Sequence, residues 1–461
     1  MLINKLKIKY LNSNNVLTCY LTDNHISNLE LNSESDYMII SAGSITLRLK
    51  KIIVKSNELN PKILYLSEDL KNLIYIPEGT VFQIKTLSSD RLELGPIIGI
   101  FIPEEDINNL IRGKIINSYI HFTFTCKILN GLCCFFSTGN IDFINNTVKG
   151  IVRQNSKWIL STFPLPKVIY DQNHRINSRM YSIDLRKRLG KEYNILNTMA
   201  RLKKWETIRT LGKFPKLAKF IPKTTLYKSI LDLENSLRDN SSVYLKPNFL
   251  SKGKGIFRVT KISEIKYRVE YRTNEENHVA TLNSLYDINK LLFQYFFIGK
   301  GYIIQQEIKK ALFRGKAFDL RVLYQKDYQG EWQPSGISTR ISALGSIITS
   351  PRSGGTVKDF STILNEVFNE TLSTEHGLYQ DILLLGRKVC LAIESAFGNC
   401  VELGLDIAID IHGHIWIIEV NGKPLKLSLK RLNDPELIYK INSRPIEYAA
   451  YLLGFESKHV L

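Results

Sequence analysis

Two acids and an amide near the end of the chain are spaced as oxygen ligands on one face of a β-hairpin. Asp406 is followed thirteen residues later by Glu419, and Asn421 lies two residues further on. In a hairpin whose paired residue numbers sum to 825, Asp406 stands opposite Glu419, with Asn421 on the same face. Opposed carboxylates repel each other unless a hard cation such as Mg²⁺, which prefers oxygen ligands and bridges to phosphate, neutralises them. The spacing therefore predicts a Mg²⁺ site, and the alternative is a solvated outer face that carries acids.

The residues around these ligands support the hairpin. Mostly apolar residues fill positions 405–411 and 415–420, and Asp410 to Gly413 offers turn chemistry between them. A turn of two residues or of four gives the same register at Asp406. Asp410 is interpreted as a residue that caps the turn rather than as a ligand.

A second pattern is typical of a strand, a glycine-rich loop and another strand. Lys246 stands before Pro247 at the predicted end of the first strand, and Gly253 and Gly255 follow in the loop. Glycines let a backbone approach phosphate oxygens, and Lys246 would supply a point charge. The spacing is neither a Walker A loop nor a Rossmann fingerprint, so a phosphate loop and a plain hairpin turn both remain open.

Composition limits the function classes. A chain of 461 residues with 44% hydrophobic and 23% charged residues fits two or three globular domains. The net charge of +18 is spread along the chain without a nucleic-acid-binding signature, so it favours attraction of anionic nucleotides over nucleic acid. No apolar run reaches membrane-spanning length and no signal peptide is evident. Six cysteines without C-x₂-C spacing indicate reduced thiols in a cytoplasmic protein and no structural zinc.

Changes in pattern suggest an order of domains along the chain. Residues 1–94 have short alternating strands separated by turn residues, including strands near 37–40, 44–54, 63–66 and 80–85. From 95 to 190 strands alternate with polar or helical stretches. Helical signals strengthen in 191–211 and 225–237, and an amphipathic helix is predicted from Tyr379 to Phe397.

Three features within about residues 193–455 resemble parts of the ATP-grasp fold. They are a glycine-rich strand pair, a lysine at a strand end, and a cluster of two acids and an asparagine late in the chain. The wider resemblance is to the YheC/YheD group, the endospore coat-associated ATP-grasp proteins of spore-forming bacteria. Its marks are Phe163 to Tyr170, Lys204-Trp205-Glu206, Phe318-Asp319-Leu320-Arg321, Gly330-Glu331-Trp332, Gly354-Gly355, Glu402 to Asp406, and Glu419 to Pro424. The resemblance implies an α/β (α+β) protein in which an ATP-grasp domain, 191–461, follows a β-rich domain, 1–94, and an α/β pre-ATP-grasp domain, 95–190.

The resemblance also assigns roles to individual residues. Those implied at the nucleotide are Lys204 and Lys246 at the phosphates, Gly253 and Gly255 in the covering loop, Gln305, Gln306, Glu307 and Ile308 at the adenine, and Asp319 near the ribose or a phosphate-side network. Those implied in transfer are Arg321 and Arg340, and those implied to hold one or two Mg²⁺ ions are Asp406, Glu419 and Asn421. Lys204 could instead be a surface lysine, and Asp319 could form a simple ion pair with Arg321.

The chemistry implied is ATP-dependent activation of a carboxylate. The carboxylate forms an acylphosphate and ADP, and an amine, or less often a thiol, displaces phosphate. The implied partners are ATP, a carboxylate substrate, an amine acceptor, and spore coat proteins or a paralogue, with neither nucleic acid nor a membrane. Serines at 350 and 353 and the displaced Arg352 depart from the loop of related ligases. A non-catalytic nucleotide-binding or structural coat protein is therefore the main alternative, and a polyanion-binding module is a third reading.

Overall fold

The chain divides into two compact units. The computed structural model describes residues 4–55, 58–174, 178–197, 202–249, 255–273, 276–295, 301–343, 345–349 and 354–457. Unit 1 comprises residues 1–200, 326–331 and 442–461, and unit 2 comprises residues 201–325 and 332–441. Helices and strands are mixed throughout, which confirms the fold class. The finer division at 94/95 and 190/191 stays a prediction.

Unit 1 begins with a closed barrel. Its strands are β1 (Asn4–Leu11), β2 (Thr18–Thr22), β3 (Tyr37–Ala42), β4 (Ile45–Val54), β5 (Ile63–Ser67), β6 (Val81–Ser88) and β7 (Arg91–Gly95), with helices α1 (Asp23–Asn28) and α2 (Lys71–Ile74) and a 3₁₀ helix (Glu68–Leu70). They pair in the order β1-β5-β2-β4-β3-β7-β6, and β6 returns to β1. Alternate residues of β1, namely Leu6, Ile8 and Tyr10, are buried in the barrel interior. The four strands predicted before residue 95 are all present.

The second sheet of unit 1 mixes parallel and antiparallel strand pairs. Its elements are β8 (Ile97–Phe101), α3 (Glu104–Ile111), α4 (Asn117–Ile128), β9 (Leu132–Phe136), a 3₁₀ helix (Thr138–Asn140), β10 (Ile141–Asp142), β11 (Thr147–Gln154), β12 (Lys157–Pro164), β13 (Val168–Asp171), α5 (Ser178–Leu189) and β14 (Asn194–Leu196). The order is β10-β11-β9-β8-β13-β14, and β12 pairs with β11. Strands β8 and β9 are buried along their whole length, as expected for parallel strands covered on both faces. All six cysteines of the chain are buried and unbridged.

The first sheet of unit 2 has one apolar face and one polar face. The elements are α6 (Lys204–Gly212), α7 (Pro215–Ala218), β15 (Thr224–Tyr227), α8 (Ile230–Asp239), β16 (Ser242–Pro247), β17 (Phe257–Lys261), β18 (Tyr267–Thr273), β19 (Glu276–Leu282), α9 (Leu285–Tyr295) and β20 (Tyr302–Gln306). The strand order is β15-β20-β16-β17-β18-β19. Leu245, Phe257 and Ile304 on one face pack with Leu237 of α8 and Leu292 of α9. The opposite face is therefore free to carry polar side chains.

The second sheet of unit 2 packs against a long helix. The elements are β21 (Leu312–Phe313), β22 (Lys316–Lys326), β23 (Trp332–Ile341), β24 (Thr356–Asp359), α10 (Phe360–Phe368), α11 (Leu378–Phe397), β25 (Glu402–Ile409), β26 (Ile415–Asn421), α12 (Leu427–Lys430) and α13 (Pro435–Leu452). The last residue of β22 and residues 442–452 of α13 belong to unit 1. The order is β24-β23-β22-β25-β26, and β21 pairs with β22. The helix predicted from Tyr379 to Phe397 is confirmed as α11. A side chain at Gly386 of this helix would clash with the Tyr324 ring, because its Cβ would lie 2.4 Å from a ring carbon.

Two helical segments were predicted too long. Residues 194–196 form strand β14, which pairs in parallel with β13, and the helix begins only at Lys204. Residues 224–227 form strand β15, paired with β20, and the capping box of Ser229 begins α8 at Ile230. Pairing with a distant strand overrides local helix propensity in both places. In the described part of the chain, no helix has the length and apolar character needed to cross a membrane.

Candidate functional site

The hairpin of β25 and β26 has the predicted register at the proposed ligands. Asp406 lies opposite Glu419, and Gly404 lies opposite Asn421, so both pairs sum to 825. Beyond Asp406 the register shifts by one residue, and Ile418 forms a bulge. The predicted two- or four-residue turn is wrong, because Asp410 N–H donates to His414 O at 3.0 Å and closes a three-residue turn. Gly413, at φ +80°, supplies the left-handed residue of that turn.

Asp410 caps this turn, as predicted. Its Oδ1 accepts from the backbone N–H groups of His412 at 2.9 Å and His414 at 3.0 Å, and its Oδ2 accepts from Trp416 Nε1 at 2.9 Å. Burial would raise the pKa of Asp410, but these hydrogen bonds lower it. Asp410 is thus used by the turn.

Asp406 is held by two guanidinium groups. Arg321, directly opposite on β22, donates from Nε to Oδ1 at 2.6 Å and from Nη2 to Oδ2 at 3.2 Å. Arg340 of β23 lies 3.1 Å from Oδ2. Burial alone would raise the pKa of Asp406, but the two arginines lower it. Asp406 is only 8% exposed, so the solvated-face alternative is wrong for this residue.

Asp319 extends the same ionic chain. Its Oδ1 accepts from Arg340 Nε at 2.6 Å, and its Oδ2 accepts from the Thr349 hydroxyl. Burial opposes the charge of Arg340, yet Asp319 and Asp406 raise its pKa. Asp319 and Arg321 lie two residues apart on β22, and each forms its ion pair with a partner on another strand rather than with the other. We call Asp319, Arg340, Asp406 and Arg321 the arginine network.

Lys204 joins the opposite side of the hairpin. Its Nζ lies 3.1 Å from Glu419 Oε1, and its side chain is only 10% exposed, which excludes the surface-lysine alternative. The neighbouring Lys203 instead pairs with Glu206 at 2.6 Å. Asn248, just after β16, accepts from the Trp205 backbone N–H at 2.9 Å and so fixes the start of α6. This contact brings α6 to the end of the strand that carries Lys246.

Lys246 lies on the polar face of the first sheet. Its Nζ donates to Gln305 Oε1 at 2.6 Å and lies 5.4 Å from the centre of the Tyr244 ring. Burial, together with the nearby cations Lys310 and Lys204, lowers the pKa of Lys246 to about 8, although Glu419 and Asp319 act in the opposite direction. These neighbours place Lys246 in the same charged cluster as the hairpin.

The side chains at the predicted adenine hinge contact protein groups. Gln305 donates to Thr224 Oγ1 at 3.1 Å, and Gln306 Oε1 accepts from the Lys223 backbone N–H at 2.8 Å. Glu307 pairs with Arg258, with Oε1 at 2.9 Å from Nε. Contacts of residues 305–308 with adenine therefore stay a prediction, in which backbone groups and Ile308 carry more weight than these three side chains.

Two residues that contribute to the site, Lys310 and Thr349, were not predicted from the sequence. Lys310 comes close to Lys246 because the segment after β20 pairs with the hairpin turn, through Ile411 N–H to Lys309 O at 3.0 Å and Ala311 N–H to Ile409 O at 2.9 Å. The adjacent lysines after the hinge were a visible signal for Lys310. Thr349 carried no signal, since its contact with Asp319 spans 30 residues and depends on the fold.

The predicted glycine loop is only partly described. Gly253 lies outside the described residues, as do Ser350, Arg352 and Ser353. Gly255 is described and has φ +68°, a conformation that side chains disfavour. The loop's contact with phosphate stays a prediction.

The donor set on the hairpin fits a hard cation by chemical type. Asp406, Glu419 and Asn421 carry oxygen ligands on one face, and the Asn421 Nδ2 donates to Gly404 O at 3.4 Å. Among the described residues, no three His, Cys, Asp or Glu side chains form a metal-binding group. A metal here would rely on two carboxylates, the asparagine and phosphate oxygens, the usual arrangement for Mg²⁺. The carboxylates now pair with Arg321, Arg340 and Lys204, so a metal must exchange with these cations.

Two curated proteins are similar to this chain in sequence. The endospore coat-associated protein YheD of Bacillus subtilis (strain 168) is 26% identical over 400 residues, covering 84% of this chain and 85% of YheD. The endospore coat-associated protein YheC of the same organism is 21% identical over 258 residues, covering 55% of this chain and 68% of YheC.

Two solved structures are also similar, each at 10% identity. The D-alanyl-alanine synthetase A from Vibrio cholerae O1 biovar eltor str. N16961 has a TM-score of 0.42 and covers 75% of this chain and 96% of its own. The D-cycloserine synthetase DcsG has a TM-score of 0.45 and covers 76% of this chain and 99% of its own.

The family assignment depends on the sequence model rather than on these structures. The sequence model of the protein family described as "YheC/D like ATP-grasp" matches residues 192–452. This range is more than half of the chain and includes all the candidate site residues named above. The resemblance inferred from the motifs is thereby confirmed, and the chain belongs to the YheC/D-like ATP-grasp family.

Proposed function

We propose that the protein is an ATP- and Mg²⁺-dependent ligase that joins a carboxylate to an amine, or less often a thiol, through an acylphosphate. The observation that carries the proposal is the charged cluster of unit 2. Its cations are Lys204, Lys246, Lys310, Arg321 and Arg340, and its acids are Asp319, Asp406 and Glu419. The basic side chains outnumber the acids, which suits the negative charge of a triphosphate. The oxygen ligands beside them suit the Mg²⁺ that the triphosphate carries.

The lysines would bind the phosphates of ATP. Lys204 must release Glu419, now 3.1 Å away, before it can bind a phosphate oxygen. Lys246 needs no such exchange, because its side-chain partner is the neutral amide of Gln305. Asp406, Glu419 and Asn421 would hold one or two Mg²⁺ ions, which would neutralise charge on the phosphates.

The arginines would act on the transferring phosphoryl group. A carboxylate oxygen of the first substrate attacks Pγ, and the bond from Pγ to the bridging oxygen of ADP breaks. The amine nitrogen then attacks the acyl carbon of the acylphosphate, phosphate leaves with the oxygen of the broken C–O bond, and the nitrogen loses a proton. Arg321 and Arg340 would offset the charge at Pγ, and they are already oriented by Asp406 and Asp319. Positioning and charge suffice for this chemistry, so no protein nucleophile is required.

A non-catalytic nucleotide-binding or structural role is the second candidate. Both Asp406 oxygens already accept hydrogen bonds from guanidinium groups, so the network is complete without a metal. The names of YheD and YheC favour association with a spore coat, where coat proteins or a paralogue would be the partners. In that role ATP would bind without turnover, or would not bind.

Calorimetric titration of the full chain with ATP, with and without Mg²⁺, tests the nucleotide site. Lys204→Met should weaken binding at least tenfold, whereas Lys203→Met, which removes the adjacent lysine paired with Glu206, should change it less than twofold. Glu419→Ala should abolish the effect of Mg²⁺. Equal effects of the two lysine variants, or Mg²⁺ dependence that survives Glu419→Ala, would contradict the assignment.

Turnover is tested separately. ADP release should appear when ATP is supplied with amino acids or short peptides as carboxylate and amine donors, and Arg340→Lys should reduce it more than it reduces ATP affinity. ATP binding without ADP release from a broad panel would favour the non-catalytic role.

A further inference from the structure

We infer that Gln305 is a positioning residue for Lys246, oriented in turn by Thr224, and that a phosphate oxygen completes the contacts of Lys246. The inference rests on the proposed nucleotide site and deepens it. It also changes the role first expected for Gln305, since a side chain that holds Lys246 is not available to read adenine.

The three residues are neighbours across adjacent strands. Thr224 of β15 lies opposite Gln305 of β20, and Gln305 lies opposite Tyr244 of β16. Lys246 is two residues beyond Tyr244, so all four side chains are on the same face of the sheet. The register thus brings a hydroxyl, an amide and an ammonium group into a row.

A chain of hydrogen bonds determines which way the Gln305 amide is turned. The Thr224 hydroxyl donates to Pro222 O at 2.8 Å, so its oxygen is left to accept from Gln305 Nε2 at 3.1 Å. The amide oxygen of Gln305 must then be on the other side, where it accepts from Lys246 Nζ at 2.6 Å. Gln305 is only 1% exposed, so its amide is shielded from water, and its two partners are half-buried.

The neutrality of Gln305 matters as much as its position. A carboxylate there would pair with the ammonium group and neutralise it, whereas an amide oxygen orients the group and leaves its charge uncompensated. The charged neighbours that act on Lys246 are Lys310 and Lys204, which repel it, and Glu419 and Asp319, which attract it. The lowered pKa of Lys246 agrees with an ammonium group that lacks a close anion. A phosphate oxygen would supply that anion.

Two ligands separate a positioning role from an adenine contact. Inorganic triphosphate carries the phosphates of ATP without the base, and both ligands are titrated with Mg²⁺ into the full chain from pH 6.5 to 9.5. Gln305→Leu should weaken both ligands about equally, by roughly tenfold at pH 7. It should also move the pH midpoint of affinity downward, because Lys246 loses an acceptor that stabilises its charged form.

Matched variants complete the test. Gln305→Glu should weaken both ligands at pH 7, because the carboxylate competes with phosphate, and should move the midpoint upward. Thr224→Val should act in the same direction as Gln305→Leu, by about threefold, and it serves as the test if Gln305→Leu does not fold. Thr225→Val is the control, because this exposed neighbour of Thr224 lies on the opposite face of β15, and it should bind within twofold of the natural chain.

The outcomes distinguish the two proposals. Loss of ATP affinity in Gln305→Leu with unchanged triphosphate affinity would overturn the positioning role and restore the adenine contact. Equal behaviour of Gln305→Leu and Thr225→Val would also overturn it, while leaving the nucleotide site intact. If the natural chain binds neither ligand, the proposed function fails and the inference fails with it.

Discussion

Each of the two sheets of unit 2 carries basic side chains on a polar face. The surroundings of Arg340 on one sheet and of Lys246 on the other shift the pKa values of these two residues in opposite directions. In the arginine network, Asp319 and Asp406 raise the pKa of Arg340 despite its burial. On the other sheet, burial and nearby cations lower the pKa of Lys246 to about 8. The difference lies in the immediate partner, which is a carboxylate for Arg340 and a neutral amide for Lys246.

In the arginine network each charged group already has a partner of opposite charge, whereas Lys246 has no close anion among the described residues. The arginine network balances its charges internally, so it can be rigid before any ligand arrives. Lys246 gains its counter-charge only from a ligand. The first face is therefore expected to contribute to stability, and the second to affinity.

The largest effect is expected in the arginine network. Asp406→Ala would leave Arg321 and Arg340 without their shared carboxylate, and we expect it to lower the free energy of unfolding by about 3–5 kcal/mol. Urea unfolding followed by circular dichroism measures the change. Asp381→Ala, at an exposed position in α11, is the control and should change stability by less than about 0.5 kcal/mol. A loss below 1 kcal/mol at Asp406 would contradict the idea of a balanced network.

The opposite pattern is expected for Lys246. Lys246→Met should leave the free energy of unfolding unchanged or higher, because it removes a half-buried charge without a close anion. The same variant should weaken Mg²⁺-ATP binding by about 10–100-fold, the value of one charge-assisted hydrogen bond. Both quantities come from one protein preparation, by unfolding and by calorimetry. A large loss of stability with unchanged affinity would reverse the comparison.

The pH dependence of the free energy of unfolding should report the lowered pKa of Lys246. The folded chain releases the Lys246 proton near pH 8, whereas the unfolded chain holds it until near the ordinary lysine pKa of 10.5. Between these values the unfolded state binds more protons, so this group makes stability rise with pH, by up to about 1 kcal/mol per unit. The difference between the natural chain and Lys246→Met, measured from pH 7.5 to 10.5, isolates the effect. A flat difference would show that Lys246 titrates normally in the folded protein.

The smallest effect is expected at the edge of the arginine network. Thr349→Val removes the hydroxyl that donates to Asp319 but leaves the Arg340 contact, so the free energy of unfolding should fall by about 0.5–1.5 kcal/mol. Thermal or urea unfolding measures it, with Thr349→Ser as the variant that keeps the hydroxyl. Equal losses in both variants would indicate that packing rather than the hydrogen bond is responsible.

Prediction from the sequence succeeded where the signal is local. The strands of the barrel and helix α11 follow from residue alternation and helical spacing within single segments. The pairing of Asp406 with Glu419 also follows from local numbering, because one short turn joins their strands. The turn itself was wrong by one residue, since a bulge at Ile418 compensates for its length and has no clear sequence signature.

By itself, then, the sequence determined the fold class, the family and the presence of two acids and an asparagine on one hairpin face. Tertiary structure decided which polar groups meet: Lys204 with Glu419, Arg321 and Arg340 with Asp406, and Lys246 with the neutral amide of Gln305. These partners come from strands and helices far apart in the chain, and their ionisation depends on burial and on neighbours that only the sheet order brings together. Residue types name the chemistry that is available, and the packing of strands sets which groups are neutralised and which still need a ligand.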